Sequence, residues 1–522
     1  MRRLGAAYLA VILATASVAE AGARALSDEQ WRADIGQMST AIKDIHFKPF
    51  HNVTEAAFDN SVDMLLASIA DRNDDEIIVA MAEIVAQLGD GHTRVHLPRL
   101  YPEFALEAEL GHGGTPPPNV AALKLPPLPV RFELFDDGLF VVAAHPDHRG
   151  LIGRRVVAFG DTPVGDAIAA VRKVSFTEND SRAKLMAPDR LALPAVLAYL
   201  GITRSTTSTR LVTTGVDGVS TVTELRRLNE PDLRFDVGLP DKLPSWQRHR
   251  DKYRWYEIRP HDDVIYVQVN QFEEQPKRPY GEFVAETIVA AREAGVSKYV
   301  IDLRHNSGGI GAWVTPFVTG LSNSEFNEYG RLFVLTGRTT FSAAQHFLHK
   351  FEEFTYAAFV GEPSGAKPSH YGDGRRVVLE HSGISLRIST IYWHSWLAND
   401  FRDAINPHIP ATLSSADYFA GRDPVLAAAI RYEAPDSLAG QIEEQFRIGA
   451  TQNALLLFTR FMSDGTRTDH ESAIPGLRAM ADRIADDGFV RPAFFVYFLA
   501  NMTYPGDPVT EAGLERLQAL QE

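Results

Sequence analysis

The feature that most constrains this chain is a run of strand–turn–helix units between about residues 250 and 432. Val264-Ile265-Tyr266-Val267-Gln268-Val269 reads as a strand, and Phe283 to Ala294 as an amphipathic helix. Lys298 to Leu303 is a second strand, mostly apolar as a strand buried on both faces is. The turn Arg304-His305-Asn306-Ser307-Gly308-Gly309-Ile310-Gly311 then leads to a helix ending near Leu321. Leu332 to Leu335 is the third strand, and Tyr356 to Val360 the next. This is the alternation of an α/β layer.

The third strand runs into Thr336-Gly337-Arg338-Thr339-Thr340-Phe341-Ser342, after which Ala343-Ala344-Gln345-His346-Phe347-Leu348 is helical in pattern. A serine at a helix start sits among backbone N–H groups without partners, at the positive end of the dipole. That position suits a nucleophile, and it equally suits an N-cap, the commoner use of serine there. Two such turns in one layer can face the same cleft. The N–H groups of Gly308, Gly309 and Ala343 are therefore candidates for an oxyanion hole, although paired glycines also serve plain tight turns. The glycines match neither a P-loop nor a dinucleotide fingerprint. His92 with His96, and His46 with His51, lack a zinc-protease arrangement, so neither a metal nor an organic cofactor is expected.

With 522 residues, 45% hydrophobic and 23% charged, there is ample material for several globular units. A formal net charge of −15 and no long basic run argue against nucleic acid and anionic membranes as partners. Residues 1–21 read as a secretory signal. Arg2 and Arg3 precede an apolar run from Leu4 to Val18, and Ala19-Glu20-Ala21 fits a cleavage site. No later apolar stretch is long enough to span a membrane. With no cysteine there is neither a disulfide nor a lipid-bearing cysteine. The mature protein is expected to be periplasmic or secreted.

Between the signal and the α/β layer the chain falls into three stretches. Residues 22–98 are helical in pattern. Ser27 with Gln30 makes a capping box ahead of Trp31, Ile35, Met38, Ile42 and Ile45. Phe58, Val62, Leu65 and Ile69 form a second stripe, and Asp74 is placed to cap a third helix carrying Ile77, Met81, Ile84 and Leu88. That helix stops at Leu88-Gly89-Asp90-Gly91-His92-Thr93, so His92 stands on a turn before a short strand. Residues 99–127 are a Gly/Pro-rich connector. Residues 128–249 read as a small β-rich module, with Val130–Leu134, Leu139–Ala143 and a hairpin around Asp217-Gly218. Beyond residue 433 the pattern is helical.

Four of these segments resemble, in order, the motifs of the tail-specific (carboxy-terminal processing) serine proteases. Val300-Ile301-Asp302-Leu303-Arg304-His305-Asn306-Ser307-Gly308-Gly309 resembles the family's D-L-R-x-N-x-G-G signature, and Thr340-Phe341-Ser342-Ala343-Ala344 its nucleophile segment. Gly361-Glu362-Pro363-Ser364-Gly365 is similar to the turn that follows, and Leu88 to Thr93 to an N-terminal D-G-H-T element. The resemblance implies a crotonase-like α/β core and a serine endopeptidase acting on peptides or proteins, with Ser342 as nucleophile. It offers two bases. Lys367 lies where a lysine base is expected, but Ser364-Gly365-Ala366-Lys367-Pro368 departs from the usual T-F-G-K-G. A tricorn-like arrangement would instead use His92, with Asp400 or the neighbouring Asp403 as its orienting acid. Leu151 to Pro163 faintly resembles part of a PDZ domain, without a clear carboxylate-binding loop. The competing reading is a non-catalytic protein that keeps the fold and binds a peptide, lipid or glycan in the cleft.

Overall fold

The structure is a computed structural model. It describes residues 24–98, 123–228, 235–240, 242–273, 275, 278–395, 400–447 and 451–520. The signal-peptide segment and most of the Gly/Pro-rich connector lie outside those residues.

Three helices open the described chain: α1 (Asp28–Ile45), α2 (Glu55–Ser68) and α3 (Asp74–Ala86). Ser27 and Gln30 form the expected capping box on α1. Asn73, and not Asp74, caps α3, again as a capping box with Glu76. Asp74 is already helical there, and its carboxylate accepts the Trp31 indole N–H at 2.7 Å. Trp31, Ile35, Met38, Phe58, Ile77 and Met81 are all fully buried. Burial of each such side chain stabilises the fold by about 1.5–3 kcal/mol. Gly89, at φ 66°, takes the left-handed turn that ends α3. β1 (Arg94–Val95) follows; the strand is shorter than the alternation from Thr93 to Leu97 suggests.

The next sheet contains β2 (Val130–Phe135), β3 (Gly138–Ala144), β4 (Arg155–Phe159), β5 (Thr162–Pro163), β6 (Ser208–Thr214), β7 (Ser220–Arg226) and β8 (Asp236–Val237). Its main order is β2-β3-β4-β6-β7, with antiparallel neighbours. Helices Val164–Val171, Asp180–Leu191 and Pro194–Tyr199 are inserted between β5 and β6. One hydrophobic cluster runs from Trp31 and Met81 through Val141 and Phe159 to Leu386, so the first helices and this sheet share a core.

The α/β layer holds β9 (Arg254–Arg259), β10 (Val264–Val269), β11 (Lys298–Asp302), β12 (Leu332–Thr336) and β13 (Ala358–Gly361). A short strand, Ile409–Pro410, completes the order from that edge through β13, β12, β11 and β10 to β9. β10 to β13 pair in parallel, and β9 closes the edge antiparallel. β10 and β12 are buried at every position because both faces are covered. Ile265, Val267, Ile301 and Val334 face the helices on one side. Val264, Tyr266, Val300 and Phe333 face the Pro424–Arg431 helix on the other. After the layer come β14 (His370–Gly372), β15 (Arg375–Val378), β16 (Ser385–Ile388) and β17 (Ile391–Trp393). β16 pairs with β1, setting Arg94 opposite Arg387, and so docks the turn carrying His92 onto the later part of the chain. From Leu438 onward the described chain is helical, with its own cluster around Phe446, Met480 and Tyr497. Among the described residues, no helix is long and apolar enough to cross a membrane.

Candidate active site

The site forms at the carboxyl ends of β11 and β12, where ligands of parallel sheets usually gather. Each charged or amide residue after β11 has a structural task. Asp302 accepts from Tyr266 Oη at 2.6 Å and pairs with Arg304. Arg304 also grips Asp423 through two bonds of 2.9 and 2.8 Å, tying in the helix that covers that face. Asn306 joins three segments. Its Nδ2 donates to Val269 O at 3.0 Å, its Oδ1 accepts from Gly308 N at 2.8 Å, and its carbonyl accepts from Phe341 N at 3.2 Å.

Gly308 and Gly309 have φ of 117° and 122°, a region closed to other residues. A side chain at Gly308 would meet the Ser342 Cβ at 2.6 Å, and one at Gly309 would meet the Phe272 carbonyl oxygen at 2.3 Å. The glycines thus let one turn press against the other. The Gly308 N–H is committed to Asn306, which departs from the expectation that it would face an oxyanion. Among the described residues, the N–H groups of Gly309 and Ala343 have no hydrogen-bond acceptor.

Ser342 has φ 55° and ψ −121°, a strained conformation for a residue with a Cβ. Its carbonyl accepts from His346 N, so it stands at the N-cap of the Ala343–Phe354 helix. Its hydroxyl makes no capping bond. The cap reading therefore holds for the position and fails for the side chain. Ser342 borders a cleft of about 830 Å³, walled by Gly309, Val314, Val318, Ala343, His346 and Trp393 among others.

His92 is buried, and among the described residues neither of its ring nitrogens has a hydrogen-bond partner. Its ring lies on Phe341, the residue before Ser342, with centroids 4.3 Å apart. Arg182 covers the Phe341 ring at 4.2 Å. The His370 ring runs parallel to that of His92, at 5.7 Å and 9°. Gly91 permits this packing, since a Cβ there would come within 2.9 Å of Phe341. Burial pushes the His92 imidazole well below its ordinary value, and His370, Arg387 and Arg94 push the same way against the Asp90 carboxylate. Asp90 holds the turn and leaves the ring of His92 alone. Its carboxylate accepts from His92 N at 2.7 Å and His46 Nε2 at 3.0 Å, and from the Thr93 and Ser389 hydroxyls. Burial would raise this carboxyl, yet the bonds from His46, Ser389 and Thr93 hold it well below the usual range.

Lys367 is in a different setting. Its side chain is 43% exposed and pairs with Asp403 at 3.4 Å, so it lacks the burial a lysine base needs. Asp400, put forward to orient His92, is bound instead by Arg402 at 2.8 Å and Ser395 at 2.9 Å, and Arg402 in turn grips Glu352. Neither Asp400 nor Asp403 hydrogen-bonds His92. Among the described residues no group of three or more His, Cys, Asp or Glu side chains is arranged to hold a metal. Phe341, His346, His370 and Trp393 were not foreseen as site residues. Phe341 lies inside a quoted motif, while His370 stands in none.

No family model matches the chain, and no curated protein sequence does. A search of solved structures finds mature CPAF complexed with lactacystin at TM-score 0.51, with 13% identity, covering 83% of this chain and 99% of that one. In fold, this chain is similar to CPAF. Looser matches include a photosystem II D1 C-terminal processing protease and the tricorn protease, at TM-scores of 0.34 and 0.33. They are 12% and 13% identical, cover 78% and 77% of this chain, and span 98% and 36% of their own. The likeness to CPAF is one of fold.

Proposed function

We propose that this protein is an exported serine peptidase of the tail-specific family, with Ser342 as nucleophile and His92 as general base. The observation that carries the reading is the Ser342 backbone. A strained serine on a strand-to-helix turn, its hydroxyl making no capping bond and the N–H groups of Gly309 and Ala343 unpaired among the described residues, has the geometry of a nucleophile elbow. In this reading the β9–β13 layer is a crotonase-like core, and the β2–β8 sheet is a PDZ-like module.

The chemistry follows from the groups present. Ser342 Oγ bonds to the peptide carbonyl carbon as its proton passes to His92. The carbonyl oxygen becomes an oxyanion, met by the N–H groups of Gly309 and Ala343 at the positive end of a 12-residue helix. Loss of one such donor typically costs about 3 kcal/mol of transition-state stabilisation. His92 then returns the proton to the departing amine, and water releases the acyl group by the same route in reverse. A buried imidazole whose pKa is lowered is neutral at pH 7, the form a base must have. His92 is preferred to Lys367 because it packs beside the nucleophile segment, whereas Lys367 is an exposed ion-pair partner.

A fluorophosphonate probe tests this directly. The wild type should be labelled once per chain and Ser342→Ala not at all. Labelling that survives Ser342→Ala would remove Ser342 from the role, and an unlabelled wild type would leave a binding cleft in place of an enzyme.

A further inference from the structure

A serine–histidine pair needs a third group to hold the imidazole in one tautomer and to stabilise the imidazolium. Three candidate carboxylates are engaged elsewhere. Asp90 is filled by His46, Thr93, Ser389 and the His92 N–H of the main chain. Asp400 is held by Arg402 and Ser395, and Asp403 by Lys367. Glu178 has a buried Oε1 without a partner among the described residues, but burial pushes its carboxyl well above the usual range, toward the uncharged form, which supplies no negative charge to an imidazolium. The ring that runs parallel to His92, that of His370, also has an unspent acceptor.

His370 Nδ1 lies 3.1 Å from the Lys367 carbonyl. A carbonyl only accepts, so Nδ1 carries the hydrogen and Nε2 of the neutral ring is left with a lone pair. That Nε2 is buried and, among the described residues, unpartnered. Both ring nitrogens of His92 are in the same condition. Such groups are costly to leave unpaired. The two rings are parallel within 9°, their centroids 5.7 Å apart. That separation is within reach of an N–H···N bond of about 3 Å after a small turn of either ring.

We propose that His370 is the positioning residue for His92, so that the site is a Ser342–His92–His370 triad with no carboxylate member; this rests on the reading of Ser342 and His92 given above. In the acylation step, one nitrogen of His92 takes the Ser342 proton. The other nitrogen, already an N–H, donates to His370 Nε2. The Nδ1 hydrogen of His370 stays on Nδ1, donated to the Lys367 carbonyl, and no proton passes from His92 to His370; the proton taken from Ser342 goes on to the departing amine. The Lys367 segment thus acts through its main chain, fixing the tautomer of His370, while its amine takes no part.

Three substitutions at His370, made in the full-length protein, separate this role from packing. His370→Gln keeps an acceptor near the Nε2 position. His370→Met has nearly the same length and volume without it. His370→Asn carries its polar atoms only near the Nδ1 position. The rate of fluorophosphonate labelling and kcat for an unfolded protein substrate should fall about 100-fold in the Met and Asn variants, with KM little changed, and stay within about tenfold of wild type in the Gln variant. Should the Met variant fail to fold, the Asn variant gives the same contrast with Gln. Full activity in the Met or Asn variant, while Ser342→Ala still abolishes labelling, would overturn the triad and leave the nucleophile standing. Equal losses in all three would also overturn it, because the acceptor would then make no difference. A wild type that takes no label would overturn the reading beneath it as well.

Discussion

The two halves of the site are built by opposite means. On the α/β side the working groups belong to the main chain or sit on a strained backbone, and hydrogen bonds fix them. Asn306 alone ties Val269, Gly308 and Phe341 together. On the other side the groups are imidazoles packed by stacking, and among the described residues both ring nitrogens of His92 and Nε2 of His370 have no donor or acceptor. The first half is set before substrate arrives. In the proposed mechanism the second is placed in the right neighbourhood, and its final hydrogen bonds form only when the proton has to move. Substitutions should therefore behave differently on the two sides.

The largest effect belongs to the serine. Ser342→Ala should lower kcat by about 10⁴-fold or more while leaving the melting temperature essentially unchanged, because alanine keeps the Cβ and the same strained backbone and removes only a hydroxyl that makes no capping bond. A residual rate within tenfold of wild type in a peptide-hydrolysis assay would place the chemistry elsewhere. Next come the two candidate bases. His92→Ala should cost about 10³-fold in kcat, and Lys367→Ala less than about twofold, since it breaks only an exposed ion pair. The reverse ranking in the same assay would transfer the proton to the lysine.

On the backbone side the loss should appear first as stability. Gly309→Ala must place a Cβ 2.3 Å from the Phe272 carbonyl oxygen at a φ of 122°. The fold should lose at least about 3 kcal/mol in denaturant unfolding. Gly308→Ala would instead push on Ser342 itself, at 2.6 Å, and should damage labelling more than stability. Equal stabilities for Gly309→Ala and wild type would mean that the Gly309 turn yields easily, contrary to the fixed character assigned to this half.

That asymmetry also explains what the sequence discloses. The α/β side is local. Strand, turn and helix follow one another within Lys298–Ser322 and Leu332–Phe354, so apolar runs, glycines and a serine at a helix start are readable in order. The commitment of the Gly308 N–H to Asn306 was not readable, because a turn's hydrogen bonding depends on φ and ψ, and composition does not specify these. The imidazole side is non-local. Arg94 faces Arg387 across a pairing that nothing short of the fold reveals, and His370 reaches His92 from a segment without a motif. Asp400 was a reasonable orienting acid by position, but Arg402, two residues on, claims its carboxylate. In the β2–β8 sheet the strands show in alternation and turn residues. The helix Asp180–Leu191, with Arg182, Arg190 and Pro188 buried in it, has no clean apolar stripe to announce it.

The smallest effect per group is the pH dependence of stability, and it too divides the halves. Burial lowers His92, His346, His349 and His370 around the site, and His305 and His408 elsewhere, with His346 and His408 pushed down to about 3. In the unfolded chain these imidazoles titrate near pH 6.5. Below that pH the unfolded state binds protons that the folded state refuses, so stability is present above about 6.5 and declines as pH falls toward 3. Each such histidine contributes a slope of up to about 1.4 kcal/mol per pH unit within that window. Glu178 and Asp75 oppose them, since their raised carboxyls favour the folded state at low pH, but they are two groups against eight once His51 and His148, also lowered by burial, are counted. The melting temperature should therefore drop steadily between pH 7 and 5, and His346→Gln should flatten the decline by removing one contributor. A melting temperature that is level across this range would mean that the imidazoles take up protons inside the fold. The stacked half of the site would then be hydrated and mobile, not the packed and dry arrangement on which the assignment of His92 as a neutral base depends.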